Sequence, residues 1–366
     1  MFNNTFKNKT VVITGHTGFK GSWLSLWLVS LGAKVVGISL DVPTSPSNFE
    51  ASKILDIVES HVIDVRNIEA VRSIVDKCQP DFCFHMAAQA LVRKSYDSPL
   101  DTITTNAIGT ANVLDALMRV DKKVIAIMIT SDKAYDNVEW SWGYREIDRL
   151  GGKDPYSASK GMAELAIRSF VSSFLNQEDS NLRVGITRAG NVIGGGDWAT
   201  DRIVPDCIKA WANGETVDIR NPQSTRPWQH VLEPLSGYIS LAVDLSNSRK
   251  NHGEAYNFGP SANQNYPVCD LINEMSKYWK KVKWNDVSQI KKYVHEAGLL
   301  KLNCDKALFD LNWQPTLDFQ ETVEMTVEWY RKYYENKNQS MYDFTIHQIN
   351  QYQEKAQYRN ISLGNT

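Results

Sequence analysis

The sequence predicts an α/β protein built on a doubly wound parallel sheet with a smaller, mixed α/β lobe after it. Three observations carry this. Short β-branched or apolar runs alternate with segments whose apolar residues fall at helical spacing. A glycine-rich loop joins the first such run to the first helix. The pattern then changes after Arg188, where shorter elements rich in tryptophan and proline begin.

The first unit is the clearest. Val11–Thr14 reads as a strand that stops at glycines, and Phe19–Leu31 as a helix with Trp23, Leu24, Trp27 and Leu28 on its apolar face. Lys34–Leu40 reads as the second strand, which makes a βαβ unit and so a parallel pair. Further strands are predicted near Val62 and over Phe82–Met86, Val124–Ile129 and Arg183–Arg188. Helices are predicted over Ile68–Lys77, Thr104–Arg119 and Ser157–Leu175. This divides the chain into a nucleotide-binding part over 1–188, with segments returning from about 226–258, and a ligand lobe over 189–225 and 259–335. Residues 336–366, rich in Asn, Gln and Tyr, read as a peripheral helix and loose tail.

Composition narrows the partners. A formal charge of −2 over 366 residues gives no basic field for nucleic acid. Five cysteines, none in a CxxC pair or a zinc-like cluster, suit a reducing cytoplasm and predict no metal. The polar start of the chain does not read as a signal peptide, and no apolar run approaches the roughly 18 residues of a membrane span.

Gly15-His16-Thr17-Gly18-Phe19-Lys20-Gly21 spaces three glycines as GxxGxxG between strand and helix. Glycine allows the tight turn and lets backbone N–H groups reach a pyrophosphate at the positive helix end. That marks a Rossmann-type dinucleotide site; a packing turn is the plainer alternative. Asp41 stands about twenty residues beyond Gly21, where a carboxylate would accept from both ribose hydroxyls and disfavour a 2′-phosphate. NAD is therefore the expected cofactor, unless Asp41 is only a solvated turn residue. Lys20 adds a cation near the phosphates or points to solvent. His16 donates to a phosphate or packs over the loop. Asp64 binds adenine or caps the helix after Arg66.

Tyr156-Ser157-Ala158-Ser159-Lys160 places a phenol and an ammonium on one helix face. A neighbouring cation favours phenolate, which is expected to lower the tyrosine toward its working range. Ser131, at a strand end, offers a hydroxyl to the same substrate oxygen. Arg188 and Arg226 are candidates for a diphosphate, since guanidinium forks suit phosphate oxygens; a rim salt bridge is the alternative for Arg226. His230 meets the substrate or is a satisfied structural histidine. Arg93 and Tyr96 lie on a loop after the fourth strand that is expected to approach the substrate, with Arg93 a candidate contact. Trp140, Trp142 and Tyr144 are better explained by packing than by stacking on bases.

Together these motifs resemble the extended short-chain dehydrogenase/reductase superfamily. His85-Met86-Ala87-Ala88, Asn106 before Gly109-Thr110, and Arg188 with Asn191 follow in that superfamily's order. The resemblance implies that Ala87, Ala88 and Asn106 line the NAD site and that Asn191 touches the diphosphate. Ser131-Asp132-Lys133 sits where the dTDP-sugar dehydratases have Thr-Asp-Glu. The runs Gly15–Trp23, Thr130–Tyr135, Trp142–Glu146, Asp154–Lys160, Gly190–Trp198 and Thr225–Val231 resemble the nucleotide-sugar 4,6-dehydratases acting on CDP-glucose.

That resemblance implies a reaction. Tyr156, with Lys160 and Ser131, deprotonates the glucose 4-hydroxyl as hydride leaves C4 for the dinucleotide. The ketone acidifies C5, a base removes that proton, and Asp132 protonates the departing 6-hydroxyl, so that water is lost. Hydride then returns to C6 and C5 is reprotonated. Lys133 replaces the usual glutamate base: it acts as a neutral amine, stabilises the enolate while charged, or is a structural partner of Asp132. Its reference pKa of about 10.4 makes the first role depend on burial. A 4-epimerase or another 4,6-dehydratase is the nearest alternative, and a non-catalytic NAD-sensing protein a more distant one. Members of this superfamily pair through helices matching 106–119 and 157–175 here, which implies a homodimer or homotetramer.

Overall fold

The computed structural model describes residues 2–289, 299–336 and 339–364. Its centre is a seven-stranded sheet: β1 (Thr10–Thr14), β2 (Lys34–Ser39), β3 (Glu59–Val62), β4 (Phe82–His85), β5 (Val124–Ile129), β6 (Leu182–Arg188) and β7 (Ala255–Asn257). Their order is β7-β6-β5-β4-β1-β2-β3, and every neighbouring pair is parallel. The chain therefore reverses direction between β1 and β4, the switch point where an open α/β sheet leaves a crevice beyond its carboxyl ends. The three residues of β7 carry too little pattern to be singled out from sequence; they are held by pairing with Ile186–Arg188.

Strand alternation decides which helices pack where. Val12, Val36, Ala126, Met128 and Val184 face one side and meet Val71 and Val75 of α2 (Ile68–Cys78) and Val113, Leu114 and Leu117 of α3 (Gly109–Leu117). Val11, Ile13, Ile125 and Ile127 face the other side with Trp23, Leu24 and Trp27 of α1 (Phe19–Ser30). A sheet covered on both faces needs apolar residues at consecutive positions, which explains the unbroken runs.

The predicted helices over 104–119 and 157–175 each contain a break in the α-helical ladder. Thr104–Ile108 is a π-helical turn leading into α3, and Val171–Leu175 is one closing α4 (Pro155–Phe170). Asp154 caps α4 by accepting from the Ser157 N–H at 2.9 Å, and Pro155 takes the first helical position.

After β6 come α5 (Ile203–Ala212), α6 (Leu232–Asn247), α7 (Val268–Met275), α8 (Phe319–Glu335) and α9 (Tyr342–Tyr358), with short two-stranded ladders between them. Their core residues belong to the same apolar cluster as the α1 face of the sheet. The stretch expected as a peripheral tail differs from that expectation. Ile349, Tyr352 and Ala356 of α9 are fully buried, Tyr352 meets Trp27 edge-on, and its hydroxyl donates to Glu233 at 2.9 Å. An Asn- and Gln-rich surface face concealed this apolar stripe. Among the described residues no helix is long and apolar enough to cross a membrane.

Candidate active site

The glycine loop lies at the carboxyl end of β1. Gly15 has φ +77°, and a Cβ there would come within 2.8 Å of the Ala87 nitrogen, so the β4 exit passes directly over it. A Cβ on Gly21 would sit 2.0 Å from the Gly15 carbonyl oxygen, which shows how closely α1 approaches the loop. No side chain caps α1 at Gly18, so this helix end keeps its N–H groups for another acceptor. Phe19 is half-buried at its start. These features fit a dinucleotide pyrophosphate. Thr14 ties the two strand ends together: its hydroxyl accepts from the N–H groups of Met86 and Ala87 at 3.1 Å, and also pairs with His85. Ala87 and the adjacent Ala88 are half-buried beside the loop.

Asp41 is exposed just past β2, and its backbone carbonyl accepts from the Thr17 hydroxyl at 2.6 Å. The side chain of His16 does not face a ligand. It is fully buried, one ring nitrogen pairs with Ser39 at 2.9 Å and the other with Ser60 at 2.7 Å, and burial pushes its pKa down to about 4. Its ring sits under Gly37, where a Cβ would lie 2.3 Å from it. His16 is thus a packing residue below the loop. Asp64 is held by the Arg66 guanidinium at 2.9 Å, and Asn67 rather than Asp64 caps α2.

Asn106 also differs from expectation. It is buried in the π-helical turn, accepts from the Gln89 N–H at 2.8 Å, and donates to the Gln89 carbonyl at 3.0 Å and to Ser159 at 2.8 Å. Its polar atoms bridge the loop after β4 to α4, so Asn106 positions the tyrosine helix instead of presenting its amide to a cofactor.

The candidate reacting groups gather where β5 ends and α4 begins. Ser131, Asp132, Tyr156 and Lys160 are all buried. The Ser131 hydroxyl donates to the Asp132 carboxylate at 3.0 Å and accepts from the Lys133 N–H at 3.2 Å. Asp132 packs onto Gly190, where a Cβ would lie 1.8 Å from its Oδ2, so only glycine fits beneath it. Burial raises the Asp132 pKa, which favours its protonated form. Lys133 is half-buried beside it.

Burial also pushes the Tyr156 phenol up, to about 12, although the neighbouring Ser131 hydroxyl acts the other way. Lys160 is pushed down to about 8 by burial, with Glu164 opposing. The expected lowering of the tyrosine by its lysine is therefore not found in the protein alone: desolvation dominates, and the groups acting on the phenol are Ser131, Asp132, Arg202 and Asp154. Lys20, half-buried, feels Arg202, Asp132 and Lys160 and is lowered to about 8 by burial, so it turns toward this cluster and away from solvent. Arg202, absent from the sequence reading, joins the group from the start of α5. It donates to Asp197 at 2.7 Å, and its charge reaches Tyr156. No motif marks it; only the fold brings it here.

Two expected substrate contacts are overturned: both side chains are buried, and neither lines the cleft beside Asp132. Arg188 is wholly inside, with its guanidinium forked onto Glu164 (Nε–Oε1 at 2.6 Å, and Nη2 with Oε2), and it also donates to the Tyr135 hydroxyl at 2.5 Å. It is a structural ion pair and cannot reach a diphosphate. His230 is also fully buried, edge-on to Trp23, and burial lowers it to about 3. Arg93 is exposed and paired with Asp201 at 2.6 Å. Arg226 is half-buried and donates to the Thr225 carbonyl at 2.8 Å. Asn191 adopts φ +52° and lines a cleft with Asp132, Gly190, Pro227 and Gln229. Among the described residues there is no cluster of His, Cys, Asp or Glu able to hold a metal ion.

A parallel sheet of this order, a glycine-lined first crossover, and a tyrosine–lysine helix facing a serine at the β5 end define a dinucleotide-binding protein of the short-chain dehydrogenase/reductase type. Solved structures agree on the fold. A UDP-glucose 4-epimerase from Stenotrophomonas maltophila with bound NAD superposes with TM-score 0.76 at 18% identity, covering 89% of this chain and 98% of that one. An epimerase from Methanothermobacter thermautotrophicus gives 0.74 at 22%, covering 92% and 96%. The family model for GDP-mannose 4,6-dehydratase matches residues 12–326. A CDP-glucose 4,6-dehydratase of Salmonella typhimurium is 46% identical over 334 residues, 90% of this chain and 92% of the relative. A dTDP-glucose 4,6-dehydratase of Haemophilus influenzae is 24% identical, covering 87% and 97%. The chain belongs to the GDP-mannose 4,6-dehydratase family.

Proposed function

We propose that this enzyme converts CDP-D-glucose to CDP-4-keto-6-deoxy-D-glucose with NAD as a bound, recycled cofactor. The observation that carries the reading is Asp132, a buried carboxyl with a raised pKa next to the Ser131–Tyr156 pair. An epimerase has no use for a second acid at that place. The choice of CDP-glucose rests on the 46% identity to the Salmonella enzyme over 90% of the chain.

The loop from Gly15 to Gly21 and the open end of α1 would hold the pyrophosphate, with Asp41 at the ribose. Bound NAD supplies a reversible hydride acceptor. Tyr156 receives the proton of the sugar 4-hydroxyl, with Ser131 aligning that oxygen and Lys160 supporting the phenolate. Asp132 delivers its proton to the departing 6-hydroxyl. Lys133, next to it, takes the C5 proton as a neutral amine, or stabilises the enolate while another base takes that proton; C5 is reprotonated after hydride returns to C6. In this reading residues 1–188 with segments from 226–258 hold the cofactor, and 189–225 with 259–335 hold the nucleotide sugar; positions 290–298 of that lobe lie outside the described residues. The same reading places the enzyme in the cytoplasm.

The test is a panel of nucleotide-glucoses incubated with the protein and NAD in deuterated water. We expect the CDP-glucose product to lose one water and gain one solvent deuterium at C5, with slower reaction of the other nucleotides. A product of unchanged mass would establish epimerisation instead. Conversion of no member of the panel would favour the NAD-sensing alternative.

We also propose a homodimer, as the unit or as half of a tetramer, formed through the helices over 106–119 and 157–175. Ile108, Met118, Met162, Leu165 and Phe174 expose apolar surface on these segments. Sedimentation should give twice the mass of the chain or more, and Leu165→Arg should shift it toward monomer. A parent protein that sediments as a monomer would end this proposal.

A further inference from the structure

Gln229 lies in the run Thr225–Val231, yet no role in the reaction above uses it. Its backbone N–H donates to the Asn191 carbonyl at 3.2 Å, and Gln229–His230 pairs in parallel with Val192–Ile193. Its side chain is buried, and its Nε2 donates to the Gly190 carbonyl at 2.8 Å and to the Phe258 carbonyl at 3.1 Å. Two carbonyls consume both amide hydrogens, so the amide has only one workable orientation. A flipped amide would set its oxygen against two other oxygens. The remaining atom, Oε1, is buried and has no hydrogen-bond partner among the described residues. A buried acceptor left so is costly unless a ligand supplies the donor.

The surroundings say which ligand. Gln229 lines the cleft that also holds Asp132, Gly190 and Asn191. Gly190 connects it to the acid: the Asp132 carboxylate covers its Cα, and its carbonyl is the one Gln229 grips. A diphosphate offers only acceptors near neutral pH, so Oε1 cannot serve it. Sugar hydroxyls are donors, and in the reading above Asp132 acts on the hexose. We infer that Gln229 Oε1 accepts a hydrogen bond from one hydroxyl of the substrate's hexose and so fixes the sugar against Asp132. This rests on the nucleotide-sugar reading and adds a specificity-determining residue to it.

The experiment measures dissociation constants in the presence of NAD, on a slow Tyr156→Phe background, with and without Gln229→Met. The ligands are CDP, CDP-glucose and the four monodeoxy analogues of its glucose. We expect Gln229→Met to weaken CDP-glucose about tenfold while CDP stays within about twofold. One monodeoxy analogue should bind both proteins alike, because its missing hydroxyl is the one Gln229 receives. Equal binding of CDP-glucose with and without the substitution would overturn the inference, as would a further loss with every analogue. Should the methionine variant not fold, the background protein alone decides: one analogue must bind about tenfold more weakly than CDP-glucose, and four equal affinities would refute the role. If that protein binds neither CDP nor CDP-glucose, the substrate reading itself fails and the inference falls with it.

Discussion

Replacing Tyr156 with phenylalanine is expected to lower turnover by about 10²–10⁴-fold, the range for losing one positioned acid–base group. The change removes a single oxygen from a side chain already packed at the first turn of α4, so the ring keeps its contacts. Thermal stability should stay within about 1 kcal/mol of the parent, and NAD should bind as before. The protonation order explains why the loss is large. Burial holds the phenol near 12 and Lys160 near 8, so in the protein alone the lysine gives up its proton first and the phenol keeps its own. Phenolate then needs the hydroxyl of Ser131 and whatever positive charge the bound cofactor contributes. Turnover by the parent should therefore rise with pH as the cofactor-bound phenol ionises, and loss of the Lys160 charge as the pH climbs should oppose that gain. Rates measured by product formation across this window, with tryptophan fluorescence following NAD, check both parts. A phenylalanine variant that retains most of its turnover would show that the sugar hydroxyl is deprotonated by another group.

Much of this arrangement was legible before any coordinates. Periodicity identified six of the seven sheet strands, five of them because apolar residues run along both faces and the edge strand β3 only from its place in the alternation, and the GxxGxxG spacing located the turn that Gly15 makes at positive φ. The pair Tyr156 and Lys160 followed from one helical turn of separation, and Ser131 and Asp132 from their place at a strand end. What sequence did not reveal was whether a polar side chain had already spent its hydrogen bonds inside the protein. Asn106, His16, Arg188 and His230 all lie near the crevice along the chain, yet each is buried, and the first three have their polar atoms engaged by Gln89 and Ser159, by Ser39 and Ser60, and by Glu164 and Tyr135. Those partners lie 17 to 53 residues away, beyond any local pattern. A signal for one of them was present: Glu164 follows Lys160 by one helical turn and shares its buried face, and a carboxylate there demands a buried cation. Arg188, at the end of an apolar strand, is that cation.

The ion pair of Arg188 and Glu164 is expected to carry a large stability effect and separates two views of Arg188. Glu164 receives the arginine fork and also accepts from the Thr130 hydroxyl at 2.8 Å, the residue before Ser131. The pair thus pins the middle of α4 to the ends of β5 and β6, and sets the tyrosine helix against the serine and aspartate loop. Both side chains are fully inaccessible. Arg188→Met leaves the buried Glu164 with only the more distant Arg168, at 3.9 Å, and Glu164→Leu leaves the arginine buried without its carboxylate; each should cost about 3–5 kcal/mol in urea denaturation. The double variant replaces two charges with apolar groups of comparable size and should recover most of that loss, because their desolvation penalty disappears with them. Recovered stability should not bring recovered turnover, since the Thr130 hydroxyl loses its carboxylate and the loop carrying Ser131 and Asp132 loses its anchor. Were Arg188 a diphosphate ligand, Arg188→Met would leave stability nearly unchanged and raise the KM for the nucleotide sugar. Denaturation midpoints and KM values for the three variants decide between these outcomes.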